Sequence, residues 1–158
     1  MAGRHALEDF VPPLWLSAED FMSVHGSASK TDTGRTQVWS FPDDATSIIA
    51  TTIVAPGSWE SFDVWLWWAN GGSGTGDVTW RGDRRGLGDG STIVTPATGT
   101  LFASTDLTAG AEDELIRSQV VTAQAWTPGQ MQVLTVVRSS GGLPNPAYFV
   151  AYEIRKAS

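Results

Sequence analysis

The sequence contains no cysteine, which excludes disulfides, thiolate metal sites and cysteine nucleophiles and leaves stability to packing or assembly. It is also poor in charge. Asp, Glu, Lys and Arg make up 17% of the chain, against about 25% in an average globular protein, so much of the surface is uncharged and suited to subunit contact. Lysine is nearly absent, with only Lys30 and Lys156, and the formal net charge is −7. Such a chain has little with which to neutralise a phosphate backbone, and nucleic-acid binding is not expected. The longest uninterrupted apolar run, residues 64–69, is far too short to span a bilayer, and residues 1–13 hold no apolar stretch of signal-peptide length. The expectation is a soluble protein made in the cytoplasm, without membrane insertion and without a cofactor.

Aromatic residues, by contrast, are concentrated. Five of the eight tryptophans fall in residues 59–80, in two strand-like runs around the glycine-rich connection Ala69-Asn70-Gly71-Gly72-Ser73-Gly74-Thr75-Gly76, a pattern that predicts a β-hairpin. Nine runs in all have β character, at 36–41, 47–55, 61–69, 77–81, 91–95, 100–104, 114–124, 131–138 and 147–155, separated by turn sequences such as Ala55-Pro56-Gly57 and Thr127-Pro128-Gly129. The last run alternates cleanly, and places Tyr148, Val150, Tyr152 and Ile154 on a core face and Ala147, Ala151, Glu153 and Arg155 on a wet one. In 61–69 the residues Phe62, Val64, Leu66 and Trp68 form one apolar face, while Trp65 and Trp67 make the other apolar too, so this strand should be covered on both sides. The expected fold is all-β: an antiparallel β-sandwich, a jelly roll of about eight strands over residues 34–158, with an N-terminal arm over 1–33. An immunoglobulin-type sandwich is the alternative, weakened by the missing cysteine pair.

Candidates for catalysis are weak. His5 and His25 lie outside metal-ligand spacing, and a triad of His25, Asp20 and Ser27 lacks a nucleophile elbow. The acidic clusters Asp43-Asp44, Glu60 with Asp63, and Glu112-Asp113-Glu114 match no calcium loop and read as solvated turns. The glycine-rich stretch 72–76 lacks the lysine of a phosphate-binding loop and leads into a strand, and the Arg81-Gly82-Asp83 tripeptide has no functional weight. Arg81, Arg84 and Arg85 form the one local basic cluster, interleaved with Asp77, Asp83 and Asp89; it reads as a solvated loop with local ion pairs that is also able to anchor on an acidic partner. Trp65 and Trp67 are candidates for a sugar platform or an oligomer interface. Trp68 and Trp80 belong in the core, and Trp39, Trp59 and Trp126, beside turns, are placed to seal the ends of the sandwich.

A further series of features runs through the Trp-Leu-(x)4-Phe opening at Trp15 and Phe21, Val38-Trp39-Ser40-Phe41-Pro42-Asp43, the Ala55-Pro56-Gly57-Ser58-Trp59 turn, residues 64–68, Gly76-Asp77-Val78-Thr79-Trp80, the turn before 131–138 and the closing tyrosine-containing strand. In this order of features the sequence resembles small jelly-roll virion proteins of tailed bacteriophages. The resemblance implies a non-enzymatic structural protein located on the virion: an oligomeric capsid decoration protein, commonly a trimer, with major capsid or tail proteins as partners. The alternative it leaves open is a tail-fibre protein or adhesin that binds host-surface carbohydrate through exposed aromatics. Trp15 and Phe21 in the arm then join Trp65, Trp67, Arg81, Arg84 and Arg85 as candidate interface or ligand contacts. Light scattering of the purified protein is expected to return the mass of an oligomer; a monodisperse monomer would remove the trimer from this expectation.

Overall fold

Alternation along residues 61–70 produces β6 (Ser61–Asn70), whose even-numbered residues Phe62, Val64, Leu66 and Trp68 are all fully buried. The computed structural model of the chain describes residues 12–43, 46–92, 99–139 and 141–158. Around β6 the described residues form an antiparallel β-sandwich of two sheets. The first is six-stranded, in the order β3 (Ser29–Asp32), β4 (Gln37–Phe41), β11 (Ala147–Lys156), β6, β9 (Leu115–Ala125), with β1 (Leu14–Ser17) also paired to β11. The second runs β2 (Met22–His25), β5 (Ser47–Val54), β10 (Met131–Ser139), β7 (Asp77–Leu87), β8 (Gly99–Thr108). The jelly-roll sandwich expected from the sequence is the fold.

The hairpin expected between residues 61–69 and 77–81 does not form. β6 pairs with β11 and β9, whereas β7 pairs with β10 and β8, so the glycine-rich connection crosses from one sheet to the other. The physical reason lies in the two buried faces. Val78 and Trp80 need apolar partners as much as Leu66 and Trp68 do, and placing the strands in facing sheets lets Trp68 meet Trp80 edge to face, with ring centroids 6.0 Å apart. Trp80 also meets Phe41 at 5.3 Å. Gly76 serves the crossing directly: its φ is +137°, and a Cβ there would sit 2.6 Å from the Gly142 carbonyl oxygen.

The boundary at residue 33 is also corrected. From Leu14 to Asp32 the presumed arm supplies three strands, one on the edge of β11, one on β5 and one on β4, so it is part of both sheets; residues 1–11 lie outside the described residues. Leu14-Trp15-Leu16 has the composition of a short edge strand and forms β1, while β2 and β3 carry little β signal of their own and form because the neighbouring strands offer open hydrogen-bonding edges. β7 runs on to Leu87, well past the expected end at 81. Arg81, Arg84 and Arg85 therefore sit on a strand paired with β10, and for Arg84 also with β8, instead of in a loop. In β11 a register shift between Phe149 and Ala151 breaks the clean alternation. Ala147, Phe149, Tyr152 and Ile154 fill the core, while Tyr148 and Val150 face outward. The expected run at 91–95 falls partly outside the described residues.

At one end of the sandwich, buried polar side chains tie the loops together. Asn70 donates from Nδ2 to the carbonyls of Gly74 (2.8 Å) and Gly110 (3.1 Å), and its Oδ1 accepts from Gly72 N (3.1 Å) and Asn145 Nδ2 (3.0 Å). Arg138, fully buried, donates to the carbonyls of Phe41, Asn145 and Leu143 and to Asp43 Oδ1 at 3.1 Å. Burial lowers its guanidinium from the ordinary value, and Asp43 partly opposes that shift. Trp59 and Trp126 stack at 5.9 Å, consistent with the end-sealing role expected of them. Replacing Trp80 with alanine should lower the unfolding free energy by about 3–5 kcal/mol in urea denaturation, the range for a large aromatic removed from a core; a loss under about 1 kcal/mol would contradict its position between the sheets.

Candidate functional site

The odd-numbered residues of β6 point away from the core, onto the outer face of the six-stranded sheet. Register places Trp65 beside Glu153 of β11 and Gln119 of β9, with Trp15 of β1 on the other side of Glu153. One step along the strand, Trp67 lies between Ala151 and Arg117, and Asp63 lies opposite Arg155. Directly paired residues share a face, so these side chains form one patch.

Within it, cations and indoles alternate. The Arg155 guanidinium carbon lies 5.8 Å from the Trp65 ring centroid, and that of Arg117 lies 4.5 Å from Trp65 and 5.7 Å from Trp67. Trp67 in turn meets Trp15 at 5.8 Å, with 49° between the ring planes. The ladder Arg155, Trp65, Arg117, Trp67, Trp15 is held by the attraction of each guanidinium to the negative faces of the rings. Trp15 ends it with half its surface (51%) exposed, the largest opening of any tryptophan among the described residues.

Glu153 underlies the ladder and is almost completely buried. Its Oε1 accepts from Arg117 Nε (3.0 Å) and Trp67 Nε1 (3.1 Å), and its Oε2 from Arg117 Nη2 (3.0 Å) and Arg155 Nε (2.7 Å). Burial alone would push this carboxyl upward. The charge-assisted bonds from Arg117 and Arg155, with the Trp67 indole, outweigh it and hold the group at about 2. The same bond raises the Arg117 guanidinium against the smaller opposing effect of desolvation. Beside the ladder, on the same face of the sheet, opens a groove of about 270 Å³ lined by Arg35, Val38, Ala69, Leu115, Tyr148 and Val150.

The structure thus brings together Trp15, Trp65 and Trp67 of the residues singled out in the sequence. Phe21 is corrected: it is buried against Phe149 (4.9 Å) and Tyr152 (5.9 Å), because the Ala18–Asp20 turn carries it into the core, and it cannot be a ligand contact. Arg81, Arg84 and Arg85 lie on the opposite sheet and do not join the patch; Arg81 pairs with Asp83 at 3.3 Å. Of the weaker candidates, Asp20 accepts from Ser17 N (2.8 Å) and Oγ (3.3 Å), Asp63 from Ala123 N (2.7 Å), and Glu114 from Ala111 N (2.9 Å), so these carboxylates brace local backbone. His5 and Asp44 lie outside the described residues. The sequence reading missed Arg117, Glu153 and Arg155. Their signal was the position of Glu153 and Arg155 on a strand rich in aromatics, where a charged face opposite tryptophans is a cue for pairing.

No family model matches the chain, and no curated protein matches it. Among solved structures it is similar to a family 35 carbohydrate binding module from Clostridium thermocellum, at 15% identity over 93% of this chain and 100% of the other, with a TM-score of 0.61. It is similar to the CBM36-1 domain of a multidomain xylanase from the hindgut metagenome of Trinervitermes trinervoides, at 9% identity over 92% and 98%, TM-score 0.62. A third likeness is to the mosquito-larvicidal Cry4Aa toxin from Bacillus thuringiensis, at 15% identity over 91% of this chain and 23% of the toxin, TM-score 0.58. At these identities the likeness establishes the fold.

The depressed Glu153 carboxyl has a consequence for stability. Because its folded value lies below the ordinary 4.5, its contribution is complete above that value and is lost as the pH falls towards 2. Solvent screening of the half-exposed arginines limits the effect to at most about 3 kcal/mol. Urea denaturation between pH 2 and 6 should show wild type losing stability over this window, with Glu153→Gln less stable at pH 6 and flatter below it; parallel curves would refute the coupling.

Proposed function

We propose that this protein is a non-catalytic glycan-binding module whose contact surface is the cation and indole ladder on the outer face of the six-stranded sheet. The observation that carries the reading is the gathering of Trp15, Trp65 and Trp67 into one patch from strands that pack in a single sheet, with Trp15 left half exposed. The polarised C–H groups on one face of a sugar ring are complementary to the negative face of an indole, and aromatic lining with a few fixed polar groups is the usual composition of a ligand site. Arg117 and Arg155 supply the polar groups. Their guanidinium nitrogens not used by Glu153 meet no acceptor among the described residues and are available to sugar hydroxyls.

The fold likeness supports this reading, since two of the three structures described above are carbohydrate-binding modules or domains of that name and their chains are matched over nearly their whole length. The third, a toxin, shows that the same sandwich also serves as one part of a much longer protein. None of the three is a virion protein. If the chain belongs to a phage particle, as its sequence resemblance implies, the ladder is the face that would meet host-surface carbohydrate; imaging of labelled particles tests that location separately.

Glu153 organises the site without facing the ligand. It fixes both arginines and the Trp67 indole from below, which pre-sets their orientation before any sugar arrives. A glycan array followed by calorimetric titration of the best hits should show saturable binding, weakened at least tenfold by Trp15→Ala and by Trp67→Ala. Absence of binding across the array, or affinities untouched by both substitutions, would remove the ladder as a glycan surface.

A further inference from the structure

The basic cluster on β7 takes no part in the ladder, yet it has a setting of its own. Between the end of β9 and the strands β7 and β10 lies a pocket of about 470 Å³, lined by Arg84, Arg85, Trp126, Thr127, Gln130 and Gln132 along with small residues. Among the described residues two arginines line it and no carboxylate does, in a protein whose net charge is −7. Asp83, the adjacent acid, is already paired with Arg81.

Its walls are built from fixed groups. Trp126 is packed against Phe62 at 4.2 Å and Trp59 at 5.9 Å, and its Nε1 donates to the Trp59 carbonyl at 3.0 Å, so the indole is held and only a narrow part of it meets the pocket. Gln132, nearly buried, donates from Nε2 to Gln130 Oε1 at 2.9 Å. Gly86 permits this pair to approach β7, since a Cβ there would lie 2.4 Å from Gln130 Oε1. Arg84 donates from Nη1 to the Ala125 carbonyl at 2.8 Å, and its other guanidinium nitrogens meet no acceptor among the described residues. Partial burial lowers its guanidinium from the ordinary value, as happens to a cation short of countercharge. Arg85 is engaged within the protein and contributes charge only.

We propose that this pocket is a second binding site, for an acidic saccharide: a sugar carboxylate received by the Arg84 fork, hydroxyls by the paired amides of Gln130 and Gln132, and the ring edge by Trp126. A planar guanidinium matches a carboxylate in geometry as well as in charge, and side-chain amides offer both the donors and the acceptors that hydroxyls need. This site goes beyond the ladder and does not depend on it, because the two share no residue and the Arg84, Gln130 and Gln132 groups belong to the other sheet and the turn that leads into it.

The test is a nuclear magnetic resonance titration of the full chain with trigalacturonate and, in parallel, with neutral cellotriose. Trigalacturonate should shift the Trp126 indole resonance to saturation, weaken with added salt, and lose at least tenfold in affinity in Arg84→Gln. Arg84→Lys, which keeps the charge and loses the fork, should fall between the two and serves if Arg84→Gln does not fold. Trp67→Ala should leave the Trp126 response within twofold of wild type. The proposal fails if cellotriose shifts Trp126 with equal affinity, if both Arg84 variants bind as wild type does, or if the acidic sugar moves only the ladder resonances or none.

Discussion

The structure depends on one constraint, that β6 is apolar on both faces and has to be covered on both. Its inner face is covered in the ordinary way, by the facing sheet, with Trp68 against Trp80 at the centre. No further sheet lies over its outer face among the described residues, and β11 and β9 pair only with its edges. What lies over Trp65 and Trp67 instead is a layer of side chains from the neighbouring strands, chiefly Arg117 and Trp15, with the arginines attached to Glu153. A guanidinium is suited to this role. It is weakly hydrated and planar, so it can lie on an indole at little desolvation cost while staying hydrogen-bonded to a carboxylate. The same requirement explains why a glutamate is buried in an outward-facing position: without it, two arginines so close together would repel each other and leave the rings.

Much of the fold was legible in the sequence. Eight of the nine expected runs coincide with β4 to β11, and the even face of β6 was identified residue by residue, because period-two alternation reports directly on burial. What alternation does not encode is which strand pairs with which. The link between β6 and β7 has the composition of a hairpin turn, and only the need of Trp68 and Trp80 for each other sends it across the sandwich. The phase error in β11 arose at Val150, where one extra residue reverses inside and outside with no mark in composition. Leu14-Trp15-Leu16 was legible as a short edge strand and forms β1, whereas β2 and β3 were invisible because their pairing is induced by open edges elsewhere. In the candidate site the tryptophans were legible and the charges were not, since a buried glutamate and an exposed one look the same until the register is known.

The two ends of the sandwich treat polar groups differently. At one, Asn70 has both donors and both acceptors engaged and Arg138 meets four oxygens, so the loops are locked to one another by the protein itself. At the other, Arg84 has a single carbonyl as hydrogen-bond partner among the described residues. A buried network leaves a ligand nothing it can reach, even where one donor, the Arg138 Nε, has no partner, whereas an incomplete one in a walled pocket offers directional groups already in place. The difference separates residues that build the scaffold from residues available to a partner, although both sets are Arg and Asn or Gln and are alike in the sequence.

The pairing of β1 with β11 sets Leu14 against Ile154 and Ser17 against Ala151. The chain therefore enters β1 and leaves β11 on the same side of this ladder. A module held by chain at both of these ends and pulled from them would have its β1–β11 hydrogen bonds loaded one after another, as a zipper is, and not all together in shear. Directly after Leu14, the next side chain to be drawn away is Trp15, the outermost rung of the aromatic patch. Mechanical tension on the polypeptide would thus strip the patch of its most exposed indole before the core around Trp68 and Trp80 felt any load, so the geometry of the patch is sensitive to force where the body of the sandwich is not.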